Sequence, residues 1–186
     1  MFMENNDEYY ISKYIKGDQE SLRILIDKYT SSIYNFSARF IGKDNAEDLT
    51  QDVFIKVWKN IKKFDVKKAH FKTWIFSIAR NAVIDFLRKK KMIVFSDLDN
   101  EGDVFSDNLE DEAILPDEAM IKIEDESLLN NALDELSANY KEILILYYQE
   151  DMTFKEIGYL INKPLNTVKS YHRRALIQLK TILHQN

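Results

Sequence analysis

The chain has 186 residues, no cysteine and a formal net charge of −5. The lack of cysteine excludes disulfides and thiolate-bound metals, and no apolar run approaches the length that spans a bilayer. The N-terminal residues have neither the basic nor the apolar region of a signal peptide. We therefore expect a soluble, cytoplasmic protein with no membrane insertion.

The net charge conceals a strong segregation of charge along the chain. Residues 1–91 carry 18 Lys and Arg against 12 Asp and Glu, and residues 128–186 carry seven bases against six acids. Between them, residues 92–127 carry 13 acids and a single lysine. Like charges repel and extend such a segment, and it has too little apolar surface to fold alone. We predict two small domains, 1–91 and 128–186, joined by a flexible acidic linker, 92–127.

Apolar residues in the first domain recur at intervals of three and four, the period of amphipathic helices. One predicted helix contains Leu22 and Phe40 and ends near Gly42. The next is predicted to have Asp44 as its N-cap, and its apolar stripe comprises Leu49, Val53, Phe54, Val57, Trp58 and Ile61. A third helix is predicted from about Phe71 to Lys91. No segment of useful length has the period of a strand, so the predicted fold class is all-α.

The last third of the chain predicts a helix-turn-helix. Its first helix opens at residues 153–158, residues 162–164 form the turn, and Pro164 suits the first position of the second helix. The core-facing stripe of that second helix comprises Val168, Tyr171, Ala175, Leu176, Leu179 and Leu183. The polar and cationic residues Lys169, Ser170, Arg173 and Arg174 fall largely outside this stripe. A cationic exposed face is what a reader of the DNA major groove needs, and an ordinary helical hairpin with a solvated basic face is the alternative.

Cations and aromatic rings also interleave in the first domain. The cations are Lys62, Lys63, Lys67, Lys68, Lys72, Arg80 and residues 88–91, and the rings are Phe64, His70, Phe71 and Trp74. Cations bind phosphates while rings stack on unpaired bases, which is the combination expected of single-strand binding. Phe71 and Trp74 also have core spacing, so packing within the domain is the alternative for these two rings.

The sequence offers no support for catalysis. The three histidines lie in separate segments without the spacing of metal ligands, and the four isolated glycines cannot form a phosphate-binding loop. We therefore predict a binding protein rather than an enzyme, with no catalytic residues, no metal and no cofactor.

Three segments resemble bacterial RNA polymerase sigma factors of the extracytoplasmic-function (ECF) group. Residues 46–54, which read Ala-Glu-Asp-Leu-Thr-Gln-Asp-Val-Phe, are followed by Val57 and Trp58 and resemble the family's most characteristic segment. Residues 71–88 are similar to its promoter-melting helix. Residues 136–179, with Tyr-Lys-Glu at 140–142 and Thr-Val-Lys-Ser at 167–170, are similar to its C-terminal helix-turn-helix domain. Both domains match in the family's order and spacing, so the resemblance covers nearly the whole chain.

The resemblance implies a sigma factor that binds core RNA polymerase and directs promoter-specific transcription initiation. The implied partners are the clamp of the largest polymerase subunit, the flap of the second subunit, promoter DNA and an anti-sigma factor. The residues implied to bind polymerase are Asp48, Leu49, Gln51, Asp52 and Phe54. Those implied to read the melted −10 element are Lys67, Lys68, His70, Phe71, Lys72, Asn81 and Arg88. Those implied to read the −35 duplex are Thr167, Lys169, Ser170, Tyr171, Arg173 and Arg174.

The chain departs from the family pattern in its helix-turn-helix. Asn162 and Asn166 stand where glycine is frequent, although Asn tolerates left-handed backbone geometry. Tyr171 and His172 stand where Arg and Leu are common, which is expected to alter the base-reading face.

Two other functions remain open from the residues alone. One is a free-standing transcription factor that binds duplex DNA, and the other is a helical adaptor without a nucleic-acid role. A lone regulator does not need the surface around residues 48–54 or the acidic linker. The adaptor leaves the cations at 169–174 without an explanation.

Overall fold

The structure is a computed structural model that describes residues 7–89 and 126–185. Every regular element within these two ranges is helical, which confirms the predicted all-α class. Contacts between Cα atoms divide the chain into two compact units, Met1–Met92 with Lys155–Asn162 and Ile93–Phe154 with Lys163–Asn186. The predicted acidic linker falls outside the described residues except at its last two positions, so the predicted boundaries at 91 and 128 stay predictions.

The first unit contains four helices from the N-terminal half of the chain. They are α1 (Asp7–Ile15), α2 (Gln19–Ile41), α3 (Lys43–Asn60) and α4 (Phe71–Lys89), with a short 3₁₀ turn at Ile61–Lys63. The three predicted helices are confirmed as α2, α3 and α4, and positions 90 and 91 of the third lie outside the described residues. The first helix, α1, was not predicted.

The junction between α2 and α3 corrects one prediction. Gly42 ends α2, where its N–H donates to the carbonyl oxygen of Ala38, and it is also the residue that precedes α3. Its φ of 79° lies in the left-handed region, which glycine adopts without steric penalty. The predicted N-cap, Asp44, lies instead inside the first turn of α3. A carboxylate there still stabilises the helix through its dipole.

The core of the first unit is formed by the apolar faces of α2, α3 and α4. Its most buried large side chains include Leu25, Ile33, Phe36, Val53, Ile61, Ile75 and Phe76. The predicted stripe of α3 is confirmed except at its edge, because Phe54 is half-buried and Trp58 is 55% exposed. At 100° per residue, Trp58 lies roughly 120° from the centre of the buried stripe.

One carboxylate links the start of α1 to α2, beside the packing of the two helices. Asp7 accepts hydrogen bonds from the Tyr29 hydroxyl and from the Lys28 ammonium. The buried residues of α1 are only Ile11 and Tyr14. Two buried apolar positions are few for a helix of this length, so α1 depends on its tertiary contacts with α2.

The C-terminal part of the chain contributes four further helices. They are α5 (Glu126–Asp134), α6 (Ala138–Leu144), α7 (Phe154–Ile161) and α8 (Leu165–Gln185), and α6 continues into a π-helical segment at Ile145–Gln149. The second unit, to which α5, α6 and α8 belong, has a buried apolar cluster of Ala132, Leu133, Leu136, Leu144, Ala175, Leu179 and Ile182.

The order of helix, turn and helix at residues 154–185 agrees with the prediction. Asn162 lies between α7 and α8 with a φ of 56°, the left-handed geometry that was expected of it. Pro164 differs by one position from the prediction. Its carbonyl oxygen accepts the first hydrogen bond of α8, from Val168 N–H at 3.1 Å, so Pro164 is the N-cap and Leu165 is the first helical residue.

Candidate nucleic-acid interface

Residues 64–70, here called the basic loop, connect the 3₁₀ turn to α4. Lys67, Lys68 and His70 are exposed on this loop, as predicted for groups that contact a ligand. The loop is shaped by Asp65, whose Oδ1 accepts a hydrogen bond from Lys67 N–H and whose carbonyl oxygen accepts one from Lys68 N–H, both at 3.0 Å. An aspartate that bonds the amide two residues ahead forms an Asx-turn.

Four aromatic residues, here called the ring cluster, support the basic loop from within. The ring of Phe71 lies 5.6 Å between centroids from each of Tyr29, Phe64 and Trp74, and Phe64 lies 5.3 Å from Trp74. Phe71 is 2% exposed, whereas Phe64 and Trp74 are half-buried. Phe71 therefore packs inside the domain and cannot stack on a base, which corrects its assignment as a residue that contacts the −10 element.

An open pocket of about 410 Å³ lies between α3 and α4, and it is here called the α3–α4 pocket. Its lining comprises Lys56, Asn60, Lys63, Trp74, Ile78 and Asn81. The lining residues are spaced by four and then three positions along each segment, which puts each set of three on one face. The pocket combines two ammonium groups, two amides and an indole ring, which are groups that can bind a phosphate, a base edge and a base face.

Of the lining residues, Asn81 was predicted to read the −10 element, and Lys63 and Trp74 were among the interleaved cations and rings, whereas Lys56, Asn60 and Ile78 were not predicted. Lys56 and Asn60 lie on α3, whereas Trp74 and Asn81 lie on the next long helix, and only the packing of α3 beside α4 brings them to the same pocket. The other predicted residues on α4 differ in exposure. Arg88 is exposed, and Lys72 is half-buried with its ammonium 5.9 Å from the centre of the Phe76 ring.

A second exposed surface, here called the outer face of α3, runs along the side of α3 away from the core. It comprises Asp48, Gln51, Asp52, Ile55 and Trp58, all of them exposed. Leu49, which was assigned to the same surface, is 6% exposed and belongs to the core. Ile55 and Trp58, which were not assigned to it, are 47% and 55% exposed. The surface therefore combines carboxylates near the start of the helix with large apolar side chains near its end.

The residues predicted on α8 form a continuous basic face. Lys169, Ser170 and Arg174 are exposed, and Thr167, Tyr171 and Arg173 are partly exposed. The Tyr171 ring lies at the edge of this face, 5.9 Å from the Tyr140 ring of α6. The cations of this basic face are therefore all carried by one regular helix, α8.

His172 was expected, with Tyr171, to alter the base-reading face, but the structure places it among buried rings. It is 7% exposed and its ring lies 4.8, 5.0 and 5.6 Å from the rings of Tyr147, Phe154 and Tyr148. Spacing alone would have indicated this, because residue 172 is four positions after Val168 and three before Ala175, and both of these residues are buried. The polar character of histidine concealed the pattern.

Residues 7–89 and 126–185 contain neither a membrane-spanning helix nor a metal-binding cluster. Within those ranges no helix is long and apolar enough to cross a membrane. In the same part of the chain, no group of three His, Cys, Asp or Glu side chains is arranged to hold a metal ion.

Comparison with known families defines the class of protein to which these surfaces belong. Residues 25–92 match the family model for sigma-70 region 2, and residues 127–179 match the model for sigma-70 region 4. The first match includes α3, the basic loop and α4, and the second includes α8 as far as Leu179. These are two conserved regions of one class, the sigma-70 factors of RNA polymerase.

Similarity to individual proteins indicates a group within this class. It is 32% identical over 164 residues to the ECF RNA polymerase sigma factor SigW of Bacillus subtilis, across 86% of this chain and 87% of the relative. It is 33% identical to SigM of the same organism, across 84% and 91% of the two chains. The co-crystal structure of the sigma factor RpoE with the anti-sigma factor NepR from Bartonella quintana shares the fold, with a TM-score of 0.63 and 28% identity over 87% of this chain and 93% of that one.

The chain therefore belongs to the ECF group of RNA polymerase sigma factors. Its function is promoter-specific transcription initiation with RNA polymerase.

Proposed function

We propose that three surfaces of this chain have separate binding functions in transcription initiation. The outer face of α3 binds core RNA polymerase, the basic loop and the α3–α4 pocket read the melted −10 element, and the basic face of α8 reads the −35 duplex. The observation that carries the proposal is the α3–α4 pocket, because it collects cations, amides and an indole on one surface of the region 2 match.

The outer face of α3 has the composition of a protein-binding surface. Exposed aromatic residues beside charged ones are frequent anchors of interfaces. Acids near a helix N-terminus also stabilise the helix dipole, but that effect is confined to the first turn. The dipole effect therefore explains Asp44, which lies in the first turn, but it explains neither Asp52 nor the exposed Trp58. We propose that Asp48, Gln51, Asp52, Ile55 and Trp58, with the half-buried Phe54, contact the clamp of the largest polymerase subunit.

The α3–α4 pocket and the basic loop are suited to a single strand. A base taken out of a duplex needs a ring to stack on and polar groups for its edge, and its phosphates need cations. Trp74 offers the ring, Asn60 and Asn81 offer amides, and Lys56 and Lys63 offer ammonium groups. Lys67, Lys68, His70, Lys72 and Arg88 complete the proposed −10 surface, and Phe71 supports it from the core.

The basic face of α8 is suited to a duplex. A recognition helix places its N-terminal residues against base edges in the major groove. Thr167, Lys169, Ser170 and Arg174 lie in the first half of α8, with Tyr171 and Arg173 beside them. We propose that these six residues read the −35 element, within a C-terminal domain of residues 128–186 that also contacts the polymerase flap.

An anti-sigma factor is a further proposed partner. The RpoE structure of Bartonella quintana, which is similar to this chain over most of its length, was solved as a complex with an anti-sigma factor. We propose that this chain acts in the cytoplasm and is held inactive there by a protein of the same kind.

The first experiment tests the outer face of α3. The double variant Asp48→Ala with Asp52→Ala is expected to keep its free energy of unfolding within about 1 kcal/mol, because both side chains are exposed. Its association with core RNA polymerase, measured with purified components, is expected to be lost.

The matched control is Asp27→Ala with Asp85→Ala, which removes the same charge from two other exposed positions of the same unit. The control should bind core polymerase as the unmodified chain does. Normal binding by the first double variant would refute the assignment of the outer face to the polymerase.

A further inference from the structure

The basic loop contains an acid that its proposed role does not explain. Asp65 is the only acidic residue between positions 53 and 84, and it lies among Lys62, Lys63, Lys67 and Lys68. Because DNA phosphates are anionic, a carboxylate in this position opposes binding. A reason for its presence must come from what the side chain does within the protein.

The hydrogen bonds of Asp65 supply that reason. Its Oδ1 accepts from the Lys67 amide and its carbonyl oxygen accepts from the Lys68 amide, each at 3.0 Å. Both bonds end on the backbone of the two lysines that project from the loop. The carboxylate makes the first bond and the backbone carbonyl makes the second, so the side chain of Asp65 holds the turn at the point where the chain enters Lys67.

Both ends of the basic loop are held independently of this turn. At the start, Phe64 N–H donates to the Ile61 carbonyl oxygen at 3.1 Å, and the Phe64 ring packs against Phe71 and Trp74. At the end, the His70 carbonyl oxygen accepts from Trp74 N–H at 3.1 Å, in the first turn of α4. The Asx-turn therefore acts on the segment between two fixed ends.

We propose that Asp65 is a positioning residue for −10 recognition, an inference that rests on the proposed function of the basic loop. Its carboxylate oxygen holds the Asx-turn and so presents Lys67 and Lys68 before DNA arrives. Preorganisation of this kind raises affinity because less conformational entropy is lost on binding. The geometry of the turn requires an acceptor oxygen and does not require a charge, while the negative charge of Asp65 weakens the attraction for phosphate.

Three substitutions separate the geometry of Asp65 from its charge. Asp65→Asn keeps an Oδ1 acceptor at the same distance from the backbone and removes the charge. Asp65→Glu keeps the charge and moves the oxygens one methylene away, and Asp65→Ala removes both. Because Asp65 is exposed, all three variants are expected to unfold at the same temperature within the error of small surface effects.

The assay is open-complex formation by the holoenzyme on a promoter that the unmodified holoenzyme has selected from a random library. Asp65→Asn is expected to match or exceed the unmodified chain. Asp65→Ala and Asp65→Glu are expected to lose about three- to tenfold, the penalty for ordering one or two side chains on binding. Core polymerase binding should be unchanged in all three.

The pattern of losses decides the inference. Equal losses in Asp65→Asn and Asp65→Ala, or no loss in Asp65→Ala, would overturn the positioning role. The double variant Lys67→Ala with Lys68→Ala tests the proposed function separately. If that variant forms open complexes normally, the basic loop is not a −10 reader, whereas a loss there with a neutral Asp65→Ala refutes only the inference about Asp65.

Discussion

The basic loop and the basic face of α8 both present cations, but they hold them by different means. On α8, the positions of Lys169 and Arg174 follow from one regular helix of 21 residues. In the basic loop, Lys67 and Lys68 depend on an Asx-turn and on rings contributed by α2 and α4. A helical surface is therefore determined locally, while the loop surface is determined by contacts between residues distant in sequence.

This difference predicts how each surface responds to substitution. Changes on α8 should act only through the contact that is removed, because the helix remains when one exposed side chain is shortened. Changes beneath the basic loop should alter recognition without touching DNA, because they release the segment that carries the cations.

The largest effect is expected from the centre of the ring cluster. Phe71→Ala removes a buried ring that contacts Tyr29, Phe64 and Trp74, and it should lower the free energy of unfolding by about 3–5 kcal/mol. Denaturant unfolding measures this directly. At a temperature where the variant is still folded, open-complex formation should fall as well, because Phe64 and Trp74 lose their shared support.

The neighbouring residue provides the control for that experiment. His70→Ala shortens an exposed side chain of the basic loop and should change stability by no more than about 0.5 kcal/mol. A stability loss for Phe71→Ala no greater than that of His70→Ala would mean that the loop is not supported by the ring cluster, and the comparison with α8 would fail.

An intermediate effect is expected on the basic face of α8. Lys169→Ala or Arg174→Ala should lower promoter affinity by about 1–3 kcal/mol if the contact is to a base edge, and the altered base preference should lie within the −35 element alone. Asn81→Ala should alter preference within the −10 element alone. A promoter library transcribed with each variant holoenzyme measures both changes in one experiment.

Lys180→Ala is the matched control on the same helix, since Lys180 is exposed but lies beyond the proposed reading face. It should leave base preference at both elements unchanged. If Arg174→Ala instead redistributes preference at −10, or Asn81→Ala at −35, the two surfaces do not have separate roles.

The smallest effect is expected from His172, and it tests the correction made by the structure. Because His172 is buried among Tyr147, Tyr148 and Phe154, His172→Leu should leave −35 base preference unchanged in the same library. The Lys169→Ala holoenzyme, assayed on the same library, shows that the library can detect a change. A changed −35 base preference in His172→Leu would mean that His172 contributes to recognition of the −35 element.

Much of the helical framework could be predicted because it depends on periodicity along the chain. The spacing of apolar residues predicted α2, α3, α4 and α8, and the exposed positions of Lys169, Ser170 and Arg174 followed from the same period. The residues that open a helix at 153–158 and the turn at 162–164 predicted α7. A helix repeats every 3.6 residues whatever surrounds it, so its faces can be assigned from one segment at a time.

The errors arose where the identity of a residue was given more weight than its position. Leu49 and Phe71 lie in segments characteristic of the family and were assigned to binding surfaces, yet both lie at buried positions of their helices. Trp58 was assigned to the core because it is apolar, and it is exposed. The helix α1 was missed because Asp7 finds its partners, Lys28 and Tyr29, more than twenty residues away.

The sequence by itself determined the all-α class, the places of most helices and which side of α8 carries charge, since each of these depends on near neighbours in the chain. Only the tertiary structure decided that Lys56 and Asn60 share a pocket with Trp74 and Asn81. It also decided that Phe71 supports the basic loop from beneath. Side chains from separate helices meet only when the buried faces of those helices pack together, and no pattern within one segment records where that packing brings them.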